Sequence, residues 1–159
     1  MEETIKLVKK AIAAEVTASA FYSLASEATE NDETRMVFLE LSTMEDDHAQ
    51  ELVNKFKTLF SVSEFDGQAY LDELIKNDAG ADIEQTEIIN KGTPRQVLEL
   101  AISMENRAQE TYATLADEVV EPTFKQYCLD LAAEEVKHAL LLSSALDSLD
   151  MDIEDRPAL

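Results

Sequence analysis

Glu45-Asp46-Asp47-His48 returns ninety residues later as Glu135-Val136-Lys137-His138, and the chain has no histidine besides these two. The same offset carries Glu15 onto Glu105 and Tyr22 onto Tyr112. It also carries Ala11, Ile12, Ala18, Leu41, Ala49 and Leu52 onto Ala101, Ile102, Ala108, Leu131, Ala139 and Leu142. Residues three apart lie on one face of a helix, so each Glu-x-x-His can offer a carboxylate and an imidazole to one ion. Two helical hairpins, each with a glutamate followed by Glu-x-x-His, describe a four-helix bundle with a carboxylate-bridged pair of metal ions at its centre.

Four long helices are legible around these motifs. The first runs over about 3–29, with Ile5, Val8, Ile12, Val16, Ala20 and Leu24 at helical spacing. Asn31 is the N-cap of the second, about 32–60, whose apolar positions are Met36, Leu39, Leu41, Met44, Leu52 and Phe56. Thr93-Pro94-Arg95-Gln96 has the cap, first-turn proline and capping-box glutamine of a helix start, and the third helix continues to about 118. The fourth covers about 122–149, followed by a loosely held acidic tail over 150–159. Each helix spans ~40 Å. The short links inside each half force antiparallel neighbours. The long stretch over 61–92 can return along the bundle and make the second and third helices parallel. Within it Gln68 to Lys76 reads as a short helix packing through Tyr70, Leu71, Leu74 and Ile75. The expected fold is therefore all-α, a single domain over 1–159 with repeat halves about 3–60 and 93–149.

Composition narrows the function classes. Three glycines and three prolines among 159 residues suit a helical chain. A formal net charge of -21 repels nucleic acid and anionic membrane, so neither is an expected partner. The single Cys128 permits no internal disulfide and reads as a small apolar residue. The opening MEETIKLVKKAIAAE lacks the apolar core of a signal peptide, and no stretch has the ~20 apolar residues of a membrane span, so the expected compartment is the cytoplasm.

The expected metal ligands are Glu15, Glu45, His48, Glu105, Glu135 and His138, whose oxygen and nitrogen donors suit iron or manganese. Glu15 and Glu105 sit in apolar surroundings, where an uncompensated carboxylate is costly. Tyr22 and Tyr112 lie two helical turns beyond Glu15 and Glu105. The expectation is that each donates a hydrogen bond to a ligating carboxylate on another helix. A plain aromatic at a bundle seam is the alternative. Asp46, Asp47 and Glu134 turn about 100° per residue away from the ligands and are expected to face solvent. Glu51, three residues after His48, could support a ligand from outside, but its counterpart is Leu141 and the surface is the preferred assignment.

Glu15 with Tyr22, Glu45-x-x-His48, Glu105 with Tyr112 and Glu135-x-x-His138 resemble the ferritin-like superfamily, and within it the rubrerythrin-type di-iron proteins. The resemblance covers nearly the whole chain. It implies a ferritin-like bundle with one long crossover between the second and third helices, and two iron ions per chain, with manganese as the alternative. Glu45 and Glu135 would bridge the ions, Glu15 and Glu105 would bind at the ends, and each histidine would hold one ion. It further implies oxidation of the diferrous centre by hydrogen peroxide or dioxygen, as a peroxidase or ferroxidase, in a homodimer; an iron-binding or storage protein without turnover is the rival. Two features depart from the pattern. The four-cysteine rubredoxin module common in rubrerythrins has no counterpart in this sequence, and Ala108 stands where they usually add a glutamate. An external electron donor is therefore implied for peroxidase turnover.

Overall fold

Six helices carry the chain: α1 (Glu2–Ala28), α2 (Asp32–Leu59), α3 (Gly67–Lys76), α4 (Ile83–Lys91), α5 (Pro94–Glu118) and α6 (Pro122–Glu154). The structure, a computed structural model, describes residues 1–61, 63–77 and 80–154, the last three by backbone alone. Local chemistry sets the boundaries. The Asn31 side chain accepts from the Thr34 N–H at 2.9 Å and starts α2. Thr93 and Gln96 cap each other reciprocally across Pro94, which takes the first helical position. At Gly92, between α4 and α5, a Cβ would come within 2.5 Å of the Ile88 carbonyl oxygen, so the tight exit from α4 requires glycine.

The long helices α1, α2, α5 and α6 form the bundle. Hairpins α1–α2 and α5–α6 are the closest pairs, with α1 against α5 and α2 against α6. Tyr22 on α1 reaches Glu105 on α5 while Tyr112 on α5 reaches Glu15 on α1, which makes these two helices antiparallel. With α1–α2 and α5–α6 each antiparallel, α2 and α5 run the same way, as the long crossover requires. The crossover contributes α3, packed on α1 and α2, and α4, packed on α1 and α5.

The apolar core is split in two. One cluster includes Val8, Ile12, Leu52, Phe56, Leu115, Phe124 and Leu131. The other includes Phe21, Phe38, Leu41, Leu98, Ala101 and Leu142. Repeat partners fall in opposite clusters: Leu52 and Leu131 in the first, Leu142 and Leu41 in the second. A two-fold axis across the bundle does this, because it exchanges the two ends.

Several expectations are corrected. Met36 and Leu39 are 64% and 45% exposed; the buried stripe of α2 instead runs through Phe38, Leu41, Ala49, Leu52, Val53 and Phe56. Leu24 and Ile75 also face outward. Helical spacing identifies a stripe, but several stripes satisfied it, and the burial of Phe38 selects the inner one. Residues 83–91, left without structure in the sequence reading, form α4, started by a capping box between Asp82 and Gln85. The fourth bundle helix continues to Glu154, and Asp150, expected in a loose tail, is helical and pairs with Arg95. The remainder of that tail, 155–159, lies outside the described residues. No helix among the described residues is long and apolar enough to cross a membrane.

Candidate metal centre

Between the two apolar clusters the buried stripe of each long helix turns polar for one or two positions. On α1 the sequence Val8, Ile12, Glu15, Ser19, Tyr22 keeps helical spacing while inserting a carboxylate. On α5 Ala101, Glu105 and Tyr112 do the same. On α2 and α6 the inserts are Glu45 with His48 and Glu135 with His138. All six predicted ligands are at most 6% exposed. The structure thus brings together every residue of the expected set.

They form two groups of four, Glu15, Glu45, His48 and Glu135, and Glu45, Glu105, Glu135 and His138, with the donor atoms of each group within 4.8 Å of one another. Glu45 and Glu135 belong to both. His48 Nδ1 lies 3.0 Å from Glu135 and 3.8 Å from Glu15. His138 Nδ1 lies 2.8 Å from Glu45, 3.5 Å from Glu135 and 3.6 Å from Glu105. The two rings stack at 5.5 Å between centroids, almost parallel at 10°.

The histidines and carboxylates pair as ions, but their hydrogen-bonding potential is not met. Seven buried donor atoms of the cluster, Glu15 Oε2, Glu45 Oε1, His48 Nδ1, Glu105 Oε2, both oxygens of Glu135 and His138 Nδ1, have no aligned hydrogen-bond partner. Buried polar atoms are ordinarily satisfied, and here the shortfall is concentrated in one cluster. Four carboxylates and two imidazoles so arranged could hold divalent ions with oxygen and nitrogen preference.

The outer contacts are specific. Tyr22 donates to Glu105 Oε1 at 2.5 Å and Tyr112 donates to Glu15 Oε1, each across the repeat. The hydrogen-bond expectation for both tyrosines is met and the plain seam alternative is not. Burial raises both phenols well above their ordinary pKa, with Glu105 adding to the effect at Tyr22 and Glu15 at Tyr112. They stay protonated donors.

Asp46, Asp47 and Glu51 are exposed, as expected. Glu134 is exposed too, but it also makes a contact that the sequence did not announce. Its side chain is half exposed, yet its carboxylate meets His48 Nε2 at 2.5 Å. Sequence reasoning placed it in solvent because only residues on the inner stripe were counted. A long side chain at the stripe's edge reaches a ring on the neighbouring helix, and its adjacency to Glu135 was the available signal.

The centre is open on one side. The stacked imidazoles come from α2 and α6. Between α1 and α5 a cleft of about 550 Å³ reaches Glu15, Glu45 and Glu105. Small side chains, including Ala14, Thr17, Ala18, Ala108 and Thr111, line it together with long polar ones such as Lys10, Arg107 and Glu110.

The protein side chains alone are electrostatically frustrated. Burial would strip the proton from His48, but Glu135 and Glu15 outweigh it and push its pKa up to about 11. For His138 the same burial is outweighed by Glu105 and Glu135, giving about 10. Burial lifts Glu105 to about 8 against the pull of His138, and burial with the charge of Glu15 lifts Glu45 well above the carboxylate range. Burial pushes Glu135 the same way, but contact with both histidines holds it below that range. The groups with raised pKa bind protons more tightly folded than unfolded. Their contribution is complete below the unfolded values, 4.5 for glutamate and 6.5 for histidine, and is lost as pH climbs through about 8 and then 10–11. Chelator-stripped protein should therefore melt at progressively lower temperature from pH 6 to pH 10. A melting temperature constant across that window would show that the cluster is hydrated rather than buried.

The sequence model of one family, described as Rubrerythrin, matches residues 6–89 and 96–158. No curated protein matches the chain.

Proposed function

Because the chain belongs to the rubrerythrin family, we propose that it is a non-haem di-iron protein oxidised by hydrogen peroxide or dioxygen, acting as a peroxidase or ferroxidase. The observation that carries the reading is the pair of four-residue groups sharing Glu45 and Glu135, with seven orphaned donor atoms turned inward. Glu15 and His48 would hold one ion, Glu105 and His138 the other, and Glu45 and Glu135 both. When bound, two ferrous ions supply two electrons, enough to take one hydrogen peroxide and two protons to two waters.

The chain's own residues prepare that chemistry. Tyr22 and Tyr112 each occupy one oxygen of an end carboxylate, which fixes its rotamer and leaves the other oxygen free. The apolar clusters above and below exclude water along the bundle axis. The α1–α5 cleft admits the oxidant to the face opposite the imidazoles. Return to the reduced state needs an external electron donor, and we place the protein in the cytoplasm as a homodimer.

The test is anaerobic loading with ferrous iron, elemental analysis, then stopped-flow mixing with peroxide and separately with oxygen. The expected result is close to two irons per chain and rapid oxidation. One iron per chain at full occupancy overturns the paired site; slow oxidation by both oxidants, with cage-sized particles in light scattering, favours storage. Ala108→Phe should fill the cleft, leave iron stoichiometry unchanged and slow oxidation at least tenfold. Unchanged rates would mean the oxidant enters elsewhere. The cleft also favours a second reading, because its volume exceeds what peroxide needs: an organic molecule reacts beside the metals. Oxygen uptake that depends on an added organic compound would support that reading over the first.

A further inference from the structure

The two halves of the centre are not equivalent, and the difference is one side chain. His48 Nε2 meets the Glu134 carboxylate at 2.5 Å. Ninety residues earlier, in the place that Glu134 holds in its own copy, stands Met44. A thioether is a weak acceptor beside a carboxylate. Each carboxylate that approaches His138 among the described residues does so at Nδ1. His48 is therefore gripped from both sides and His138 from one.

We propose that Glu134 is a positioning residue that makes the Glu15–Glu45–His48–Glu135 group the first of the two to take up a divalent cation. A carboxylate that accepts from Nε2–H keeps a proton on that nitrogen, so the proton an incoming ion displaces is the one on Nδ1. Nδ1 is the atom that faces Glu135 and Glu15, in the group's interior. The ring is thus held in the orientation a metal requires, with Nε2 fixed as the nitrogen that keeps its proton. No carboxylate among the described residues holds Nε2 of His138, so which nitrogen of that ring keeps its proton is not fixed before the ion arrives. Outer partners of this kind are commonly worth about 10–100-fold in metal affinity, and that is the separation expected between the two loading steps. Glu134 is also half exposed, so the chain supplies this effect from the surface without burying another charge.

The inference rests on the metal-binding reading above, and the experiment separates the two. Zinc serves as the probe because it is diamagnetic and accepts nitrogen and oxygen donors. The protein is labelled with ¹⁵N in its two histidines, and ring spectra are recorded through a zinc titration. With one equivalent, the metal-bound Nδ1 signal should belong to His48, and His138 should follow in the second. Glu134→Met copies the other half and should bring the two rings into step, by weakening the first site about 10–100-fold. Glu134→Gln keeps an acceptor and should retain most of the order. Met44→Glu should remove the order from the opposite direction, by strengthening the second site, an effect that damage to the fold does not produce. Simultaneous loading of both rings in the native protein, or an order unchanged in Glu134→Met, overturns the inference while leaving the metal centre intact. Failure of either ring to shift overturns the metal reading itself.

Discussion

Iron loading should raise the melting temperature by about 15–30 °C. Each ion that binds only the folded chain adds roughly 4 kcal/mol when free metal stands near a thousand times Kd. For a chain of this size each kcal/mol moves the midpoint by about 2–4 °C. Two ions then give the range. The physical origin is the crowding of Glu15, Glu45, Glu105 and Glu135, all at most 2% exposed, within a few ångströms. Without cations, some of these groups must hold protons or repel one another. Metal removes both penalties and satisfies the seven orphaned donor atoms. The unfolded chain has no such convergence, so little of the gain is cancelled. The measurement is calorimetry under argon, with and without two equivalents of ferrous iron. Coincident melts, with iron demonstrably retained, would show that the ions sit on the acidic surface rather than in the bundle.

The site was more legible than the scaffold around it. The candidate ligand positions carry a chemical signature, and duplication at a constant offset multiplies it. A glutamate on an apolar stripe is unusual; four of them, with the chain's only two histidines, admit few explanations. Helix starts were legible where a side chain caps backbone N–H groups, as at Asn31 and Thr93. The inner face of α2 was not, because Met36 and Leu39 satisfy helical spacing as well as Phe38 and Leu41, and only tertiary packing distinguishes them. α4 was missed for a different reason. Its nine residues hold only Ile83, Ile88 and Ile89 as large apolar side chains, and Ile83 is exposed, so periodicity is faint. The Asp82–Gln85 capping box was the stronger signal. Glu134 shows a further limit: turning 100° per residue fixes where a Cβ points, not where a long side chain ends.

Sharing of Glu45 and Glu135 makes the sharpest mutational contrast. Each belongs to both four-residue groups, whereas Glu15, Glu105, His48 and His138 each belong to one. Glu135 is fully buried and approaches Nδ1 of both histidines. Glu135→Ala should therefore abolish retention of both irons through a desalting column. His138→Ala removes one donor from one group and should leave close to one iron, held by the group that contains His48. His48→Ala should also reduce retention toward one, and more severely if Glu134 gives its group the higher affinity. All three should lose rapid oxidation by peroxide, since the two electrons must come from a pair of ions held together. Asp46→Ala is the control: its side chain is exposed, and stoichiometry and rate should stay unchanged. Circular dichroism confirms that each variant remains helical before iron is counted. Loss on Asp46→Ala equal to that on His48→Ala would mean that the wrong face of α2 has been assigned. Two irons retained in Glu135→Ala would mean that the ions do not share a carboxylate, and the paired oxidation would lose its structural basis.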